Sequence, residues 1–244
     1  MTRPRPRRGV ALLPSLFTLG NLFCGYACVI YAMRGEFGTA APFVGIAVIL
    51  DMLDGRIARM TGTASEFGLQ FDSMADVISF GMAPALLTFA WGLSTLGRLG
   101  WTAAFLFVTA AALRLARFNL QSASVDKRYF VGMPSPAAAG VLAATVYAYP
   151  EGLVQFRSSL PAILLVVVPG LLMVSTVKFR SFKTFDLGAR RPVRILIFFA
   201  LLITAIATHP QIVLVVIAYA YLASPFVGML VTRLRRKPAP PPAG

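Results

Sequence analysis

Asp51, Asp54, Asp72 and Asp76 stand in the stretch DMLDGRIARMTGTASEFGLQFDSMAD, residues 51–76, between runs apolar enough to enter a membrane. A spacing of three puts Asp51 and Asp54 on one helix face, and a spacing of four does the same for Asp72 and Asp76. Two neighbouring helices then bring four carboxylates together. In a low-dielectric setting these repel one another strongly unless protons or cations neutralise them. With no thiolate or imidazole nearby, all-oxygen ligation favours hard divalent ions such as Mg2+, Mn2+ or Ca2+ over zinc. Two ions bridged by shared aspartates balance four negative charges and form a known clamp for a transferring phosphoryl group. Gly55 and Gly68 leave room for a ligand to approach the backbone, Ala58 keeps the same surface open, and Arg59 offers a planar donor fork to phosphate oxygens. The structural alternative is a buried Asp–Arg network that only fixes helix packing.

The elements that must carry these residues follow from composition. Of 244 residues, 57% are hydrophobic and 13% charged, and the mean hydropathy of +0.75 lies outside the range of a soluble domain. The fold class is therefore all-α: a polytopic integral membrane helical bundle. A hydrocarbon core of about 30 Å needs roughly 20 apolar residues per helix, and eight such runs are present, at 11–33, 38–60, 70–94, 97–118, 134–150, 158–177, 191–208 and 210–232. The fifth and seventh are short.

Lys and Arg accumulate before the first run, between the second and third, around the end of the fourth, between the sixth and seventh, and after the eighth. These loops hold 20 of the 23 basic residues and leave Arg34, Arg98 and Arg157 for the other side. Such asymmetry predicts an even number of spans with both termini cytoplasmic. The net charge of +14 is spread in short clusters, not along a stripe interleaved with exposed aromatics, so no nucleic-acid partner is expected. RPRPRR before the first run resembles the start of a signal peptide, but the run is too long for one and lacks a small-x-small cleavage site, so it reads as a retained helix. Cys24 and Cys28 read as buried inert thiols, His209 as a loop residue in an outer turn, and KPAPPPAG as a disordered tail.

Written as D-x2-D-G-x2-A-R-x8-G-x3-D-x3-D, the stretch fixes Asp51, Asp54, Gly55, Ala58, Arg59, Gly68, Asp72 and Asp76. This pattern resembles the signature of the CDP-alcohol phosphotransferase family, whose members are integral membrane enzymes of phospholipid synthesis. The resemblance implies that Asp51, Asp54 and Asp72 ligate the metals, Mg2+ or Mn2+ and two in number. It implies that Asp76 joins them and takes the proton of the acceptor hydroxyl, and that Gly55, Ala58, Arg59 and Gly68 line the CDP pocket. It further implies a six-helix catalytic core and a homodimer.

Four more stretches resemble the phosphatidylserine synthase branch of that family: PSLFTLGNLFCGY at 14–26, ARFN at 116–119, GMPSPAAAG at 132–140 and MVSTVKFRSFK at 173–183. They imply transfer of the phosphatidyl group of CDP-diacylglycerol to the hydroxyl of L-serine with release of CMP. The basic loops put Arg56, Arg59 and hence the site at the cytoplasmic end of the spans, and the membrane expected is the cytoplasmic membrane of a prokaryote. Thr18 and Asn21, one turn apart, either bind the nucleotide or tie helices together. Arg114 and Arg117, with Asn119 beside them, either meet a serine carboxylate or lipid phosphate or, as cations, snorkel to the headgroups. Lys178, Arg180 and Lys183 are cations for an anionic lipid or an incoming diphosphate. The PSP at 134–136 reads as a break before a small-residue helix that packs closely.

The domain division expected is a basic segment at 1–10, the catalytic membrane domain at 11–185, two added helices at 186–232 and a basic, Pro-rich tail at 233–244. Two rivals remain at this point. One keeps the chemistry with glycerol 3-phosphate or inositol phosphate as acceptor; the other is a divalent-cation transporter using the intramembrane aspartates as a pathway.

Overall fold

The computed structural model describes residues 12–62, 65–121, 129–180 and 192–235, and nearly all of them are helical. Helix α1 (Leu12–Met33) and helix α2 (Phe37–Thr61) form an antiparallel hairpin turned at Gly35, whose φ of 77° suits a residue without Cβ. The hairpin is pinned at both ends. Near the turn the Tyr31 and Phe43 rings stack at 5.5 Å, and at the far end Thr18 meets Asp54.

Helix α2 stops at Gly62, which is left-handed (φ 63°) and returns its N–H to the Ala58 carbonyl. Helix α3 (Glu66–Asp76) then starts on Ser65, whose hydroxyl accepts the Gly68 N–H at 3.0 Å. This cap, with Glu66 favourable in the first turn, starts the helix four residues earlier than the apolar run at 70–94 suggests. One π-helical turn, Val77–Met82, joins α3 to α4 (Ala83–Trp91), so that Glu66–Trp91 forms a single apolar span.

Helix α5 (Arg98–Gln121) follows a short 3-10 turn, and helix α6 (Ser135–Ala148) begins directly after Pro134. Eight of the 14 residues of α6 are buried, Ala138, Ala139, Ala143 and Ala144 among them, because small side chains let neighbouring helices close in. Helix α7 (Phe156–Val174) leads into strand β2 (Lys178–Arg180), which pairs antiparallel with β1 (Tyr129–Val131) in the register Phe130↔Phe179. This two-stranded clip, absent from the sequence expectation, sits where KFRSFK reads only as a charge cluster. Gly132 turns the chain at φ 82°, and a Cβ there would collide with the Met173 carbonyl. Helices α8 (Pro192–Thr208) and α9 (Pro210–Arg235) are separated by His209 alone.

Each of the eight apolar runs is largely helical among the described residues. Among the described residues five helices are long and apolar enough to cross a bilayer: Ser15–Met33, Phe37–Thr61, Glu66–Trp91, Arg98–Leu120 and Pro210–Met229. Helix α6, at about 1.5 Å per residue, rises only about 21 Å and lies inside the bundle instead of facing lipid. Phe80, Leu87, Phe107, Leu142 and Met173 fill the core, with Cys24 and Cys28 buried as free thiols. Leu16, Phe23, Ile49, Trp101, Phe105, Leu164 and Val216 are exposed on the outside, an apolar surface suited to acyl chains and not to water. The chain is an all-α polytopic membrane protein.

Candidate active site

The α2 and α3 aspartates share the same end of the bundle because Gly62 and Ser65 reverse the chain between them. At 3.6 residues per turn, the i,i+3 and i,i+4 pairs project within about 60° and about 40° of each other. One carboxylate oxygen each from Asp51, Asp72 and Asp76 lies within 4.8 Å of the other two. Asp54, only 3% exposed, accepts from the Thr18 hydroxyl at 3.0 Å, and its charge acts on Asp72. Asp76 Oδ1 accepts from Asn21 Nδ2 at 3.2 Å. Thr18 and Asn21 thus both reach across from α1 to the aspartates.

Two negative charges about 4 Å apart repel by about 4 kcal/mol at an effective dielectric of about 20, so the cluster calls for a counter-charge. Its unsatisfied atoms point the same way. Asp72 Oδ1 and Asn21 Oδ1 are buried and have no hydrogen-bond partner among the described residues. Both are acceptors, and a hard cation is what an all-oxygen set of this kind suits. The residues fit a divalent metal site.

A π turn starts at the residue after Asp76. Its Ser79 hydroxyl donates to the Asn21 carbonyl at 2.9 Å, and a Cβ on Gly25 would come within 2.6 Å of that hydroxyl. α1 and the turn are therefore in direct backbone contact, which fixes Asn21 against Asp76. Hydrophobic periodicity carries no signal for such a turn, and the sequence expectation did not include it.

The remaining motif residues divide. Arg59 lies exposed with its guanidinium over Gly55, about one van der Waals contact from where a Cβ would stand, and Ala58 is half-buried beside it. Gly68 occupies the first turn of α3, where a Cβ would press on the capping Ser65 hydroxyl at 3.1 Å. Arg114 does not snorkel outwards. Its Nη1 donates to Ser135 Oγ at 2.8 Å, its Nε is buried without a partner among the described residues, and its charge interacts with Asp76, the Tyr221 phenol and Asp51. Arg117 is half-buried one turn further on. Asn119 donates to Ser73 Oγ at 3.1 Å and ties α5 to α3. Lys178 and Arg180 lie on β2 in the clip, and Lys183 falls outside the described residues.

Sequence reasoning passed over two residues here. Ser135, read as part of a helix-breaking PSP, is fully buried against Arg114; a hydroxyl at a buried helix start was the available signal. Tyr221 stands on α9, which carries no motif. An apolar groove of about 790 Å³ runs along α1, lined by Leu19, Phe23 and Tyr26 of that helix and by Ile78, Met82 and Leu86.

A family model described as CDP-alcohol phosphatidyltransferase matches residues 11–179. Three similar proteins carry the name CDP-diacylglycerol--serine O-phosphatidyltransferase. That of Helicobacter pylori is 38% identical over 201 residues, covering 80% of this chain and 83% of its own length. That of Mycobacterium leprae is 32% identical over 229 residues, 91% of this chain and 76% of its own. That of Bacillus subtilis is 32% identical over 173 residues, 70% of this chain and 91% of its own.

Proposed function

Because this chain belongs to the CDP-alcohol phosphatidyltransferase family, we propose that it transfers the phosphatidyl group of CDP-diacylglycerol to the hydroxyl of L-serine and releases CMP. The observation that carries the mechanism is the convergence of Asp51, Asp72 and Asp76, with Asp54 alongside, inside the matched segment. Asp51, Asp54, Asp72 and Asp76 hold Mg2+ or Mn2+, two ions in all. When bound, the ions neutralise the diphosphate and stabilise the charge that grows on the departing CMP phosphate.

Each protein group has its part. Arg59, over the Cβ-free surface of Gly55, directs its donor fork at the diphosphate, with Ala58 and Gly68 keeping the approach clear. The apolar groove beside α1 takes acyl chain of the lipid substrate. Arg114 pairs with the serine carboxylate. The serine hydroxyl oxygen forms a bond to the phosphatidyl phosphorus, the bond from that phosphorus to the CMP oxygen breaks, and the hydroxyl proton passes to Asp76 Oδ2, the oxygen that Asn21 does not engage. Holding both reactants in line supplies much of the rate.

The same proposal covers topology. Eight helices cross the cytoplasmic membrane of a prokaryote with both termini and the active site on the cytoplasmic side. Residues 11–185 form the catalytic domain, 186–232 two added helices and 233–244 a tail, and the enzyme works as a homodimer. The test is product identity: the purified chain in lipid nanodiscs, given CDP-diacylglycerol, L-serine and Mn2+, yields phosphatidylserine by mass spectrometry. Formation of phosphatidic acid alone, with serine untouched, counts against the proposal.

A further inference from the structure

Helix α9 lies wholly outside the matched residues 11–179, yet one face of it is built into the bundle. Ala218, Tyr221 and Leu222, at i, i+3 and i+4, pack against the core. Tyr219, on another side of the helix, shares a hydrogen bond of 3.0 Å with Thr145 of α6. The Tyr221 ring lies tilted on Phe179 of β2, with centroids 5.7 Å apart, and its phenol is within electrostatic reach of the Arg114 guanidinium. Arg114 is thus influenced from two elements: Ser135 Oγ accepts its Nη1 N–H at the start of α6, and Tyr221 of α9 interacts with its charge. Its Nε–H is buried and has no partner among the described residues. A buried guanidinium N–H without an acceptor is costly unless a ligand supplies one.

We propose that α9 completes the acceptor pocket, with Tyr221 and Ser135 acting as positioning residues that aim Arg114 at the carboxylate of the amino-acid acceptor. The inference rests on serine being the acceptor. The helix beyond the matched region thereby holds one cation in the orientation that distinguishes an amino acid from an alcohol lacking a carboxylate.

The experiment uses the full chain in nanodiscs and measures KM for L-serine, for L-serine methyl ester and for CDP-diacylglycerol. Tyr221→Phe keeps the ring on Phe179 and removes only the hydroxyl. The expected result is a rise of about tenfold in KM for L-serine, with kcat, the CDP-diacylglycerol KM and the methyl ester KM each within about twofold of wild type. Ser135→Ala is expected to show the same selective change, and Tyr219→Phe none. An unchanged serine KM in Tyr221→Phe, or a parallel rise for serine and its ester, overturns the inference while the serine assignment stands. If the wild-type chain gives no serine-dependent CMP, the acceptor assignment fails and the inference falls with it.

Discussion

Asn21 and Asp76, 55 residues apart in sequence, meet through an amide N–H donated to carboxylate Oδ1 at 3.2 Å. The contact ties α1 to α3 and leaves Oδ2 as the Asp76 oxygen that Asn21 does not engage. Loss of the carboxylate in Asp76→Asn is expected to lower kcat by at least about 100-fold, the lower end for removal of a positioned general base. Asn21→Ala, which keeps the base and frees its orientation, is expected to cost about tenfold in kcat. Steady-state CMP release measures both, and an Asp76→Asn enzyme of near wild-type kcat removes Asp76 from the mechanism.

Asp72 carries the buried oxygen with no partner among the described residues, so it should respond most clearly to metal. Mn2+ at about 100 times its dissociation constant stabilises a site-bearing protein by about 2.7 kcal/mol. A corresponding rise in melting temperature is expected for the wild type, and none for Asp72→Asn. Equal shifts in the two proteins would mean that the ion binds elsewhere.

In the proposed metal site Thr18 would act one step behind the carboxylates. Its hydroxyl orients the buried Asp54, and ligand-orienting partners of this kind typically contribute 10–100-fold to metal affinity. Thr18→Val keeps the shape, and Mn2+ titration should show a dissociation constant raised by about tenfold. A purely helix-tying Thr18 would lower the melting temperature and leave metal affinity alone.

Gly25 tests the contact that supports Asn21. A Cβ there would lie 2.6 Å from the Ser79 hydroxyl and 2.9 Å from the Ser79 Cα, whereas one on Gly45 would meet nothing within 4 Å. Gly25→Ala is expected to destabilise by about 1–3 kcal/mol as an overpacking change and to lower kcat, while Gly45→Ala does neither. Thermal unfolding in nanodiscs separates the two variants.

What could be read from sequence was local or carried by charge. The helices follow from runs of apolar residues, and the meeting of Asp51 with Asp72 and Asp76 follows from helical spacing plus a short turn between two spans. What could not be read depends on contacts distant in sequence. The π turn after Asp76 is specified by Ser79 and Gly25 acting on α1, and no periodicity in residues 77–82 announces it. The Arg114–Ser135 bond joins residues 21 apart, and Tyr221 interacts with the same arginine from a helix that carries no recognisable motif. Pairing of β1 with β2 needed two three-residue segments about 50 residues apart, too short to show alternation.

Acceptor choice and metal dependence meet in one assay: CMP release from CDP-diacylglycerol by the purified chain, with L-serine, glycerol 3-phosphate or inositol phosphate competing, in Mn2+ and after chelation. The expected result is CMP release that requires the ion and is driven by L-serine in preference to either phosphorylated alcohol. Turnover that survives chelation, or that follows glycerol 3-phosphate or inositol phosphate in place of serine, contradicts the account.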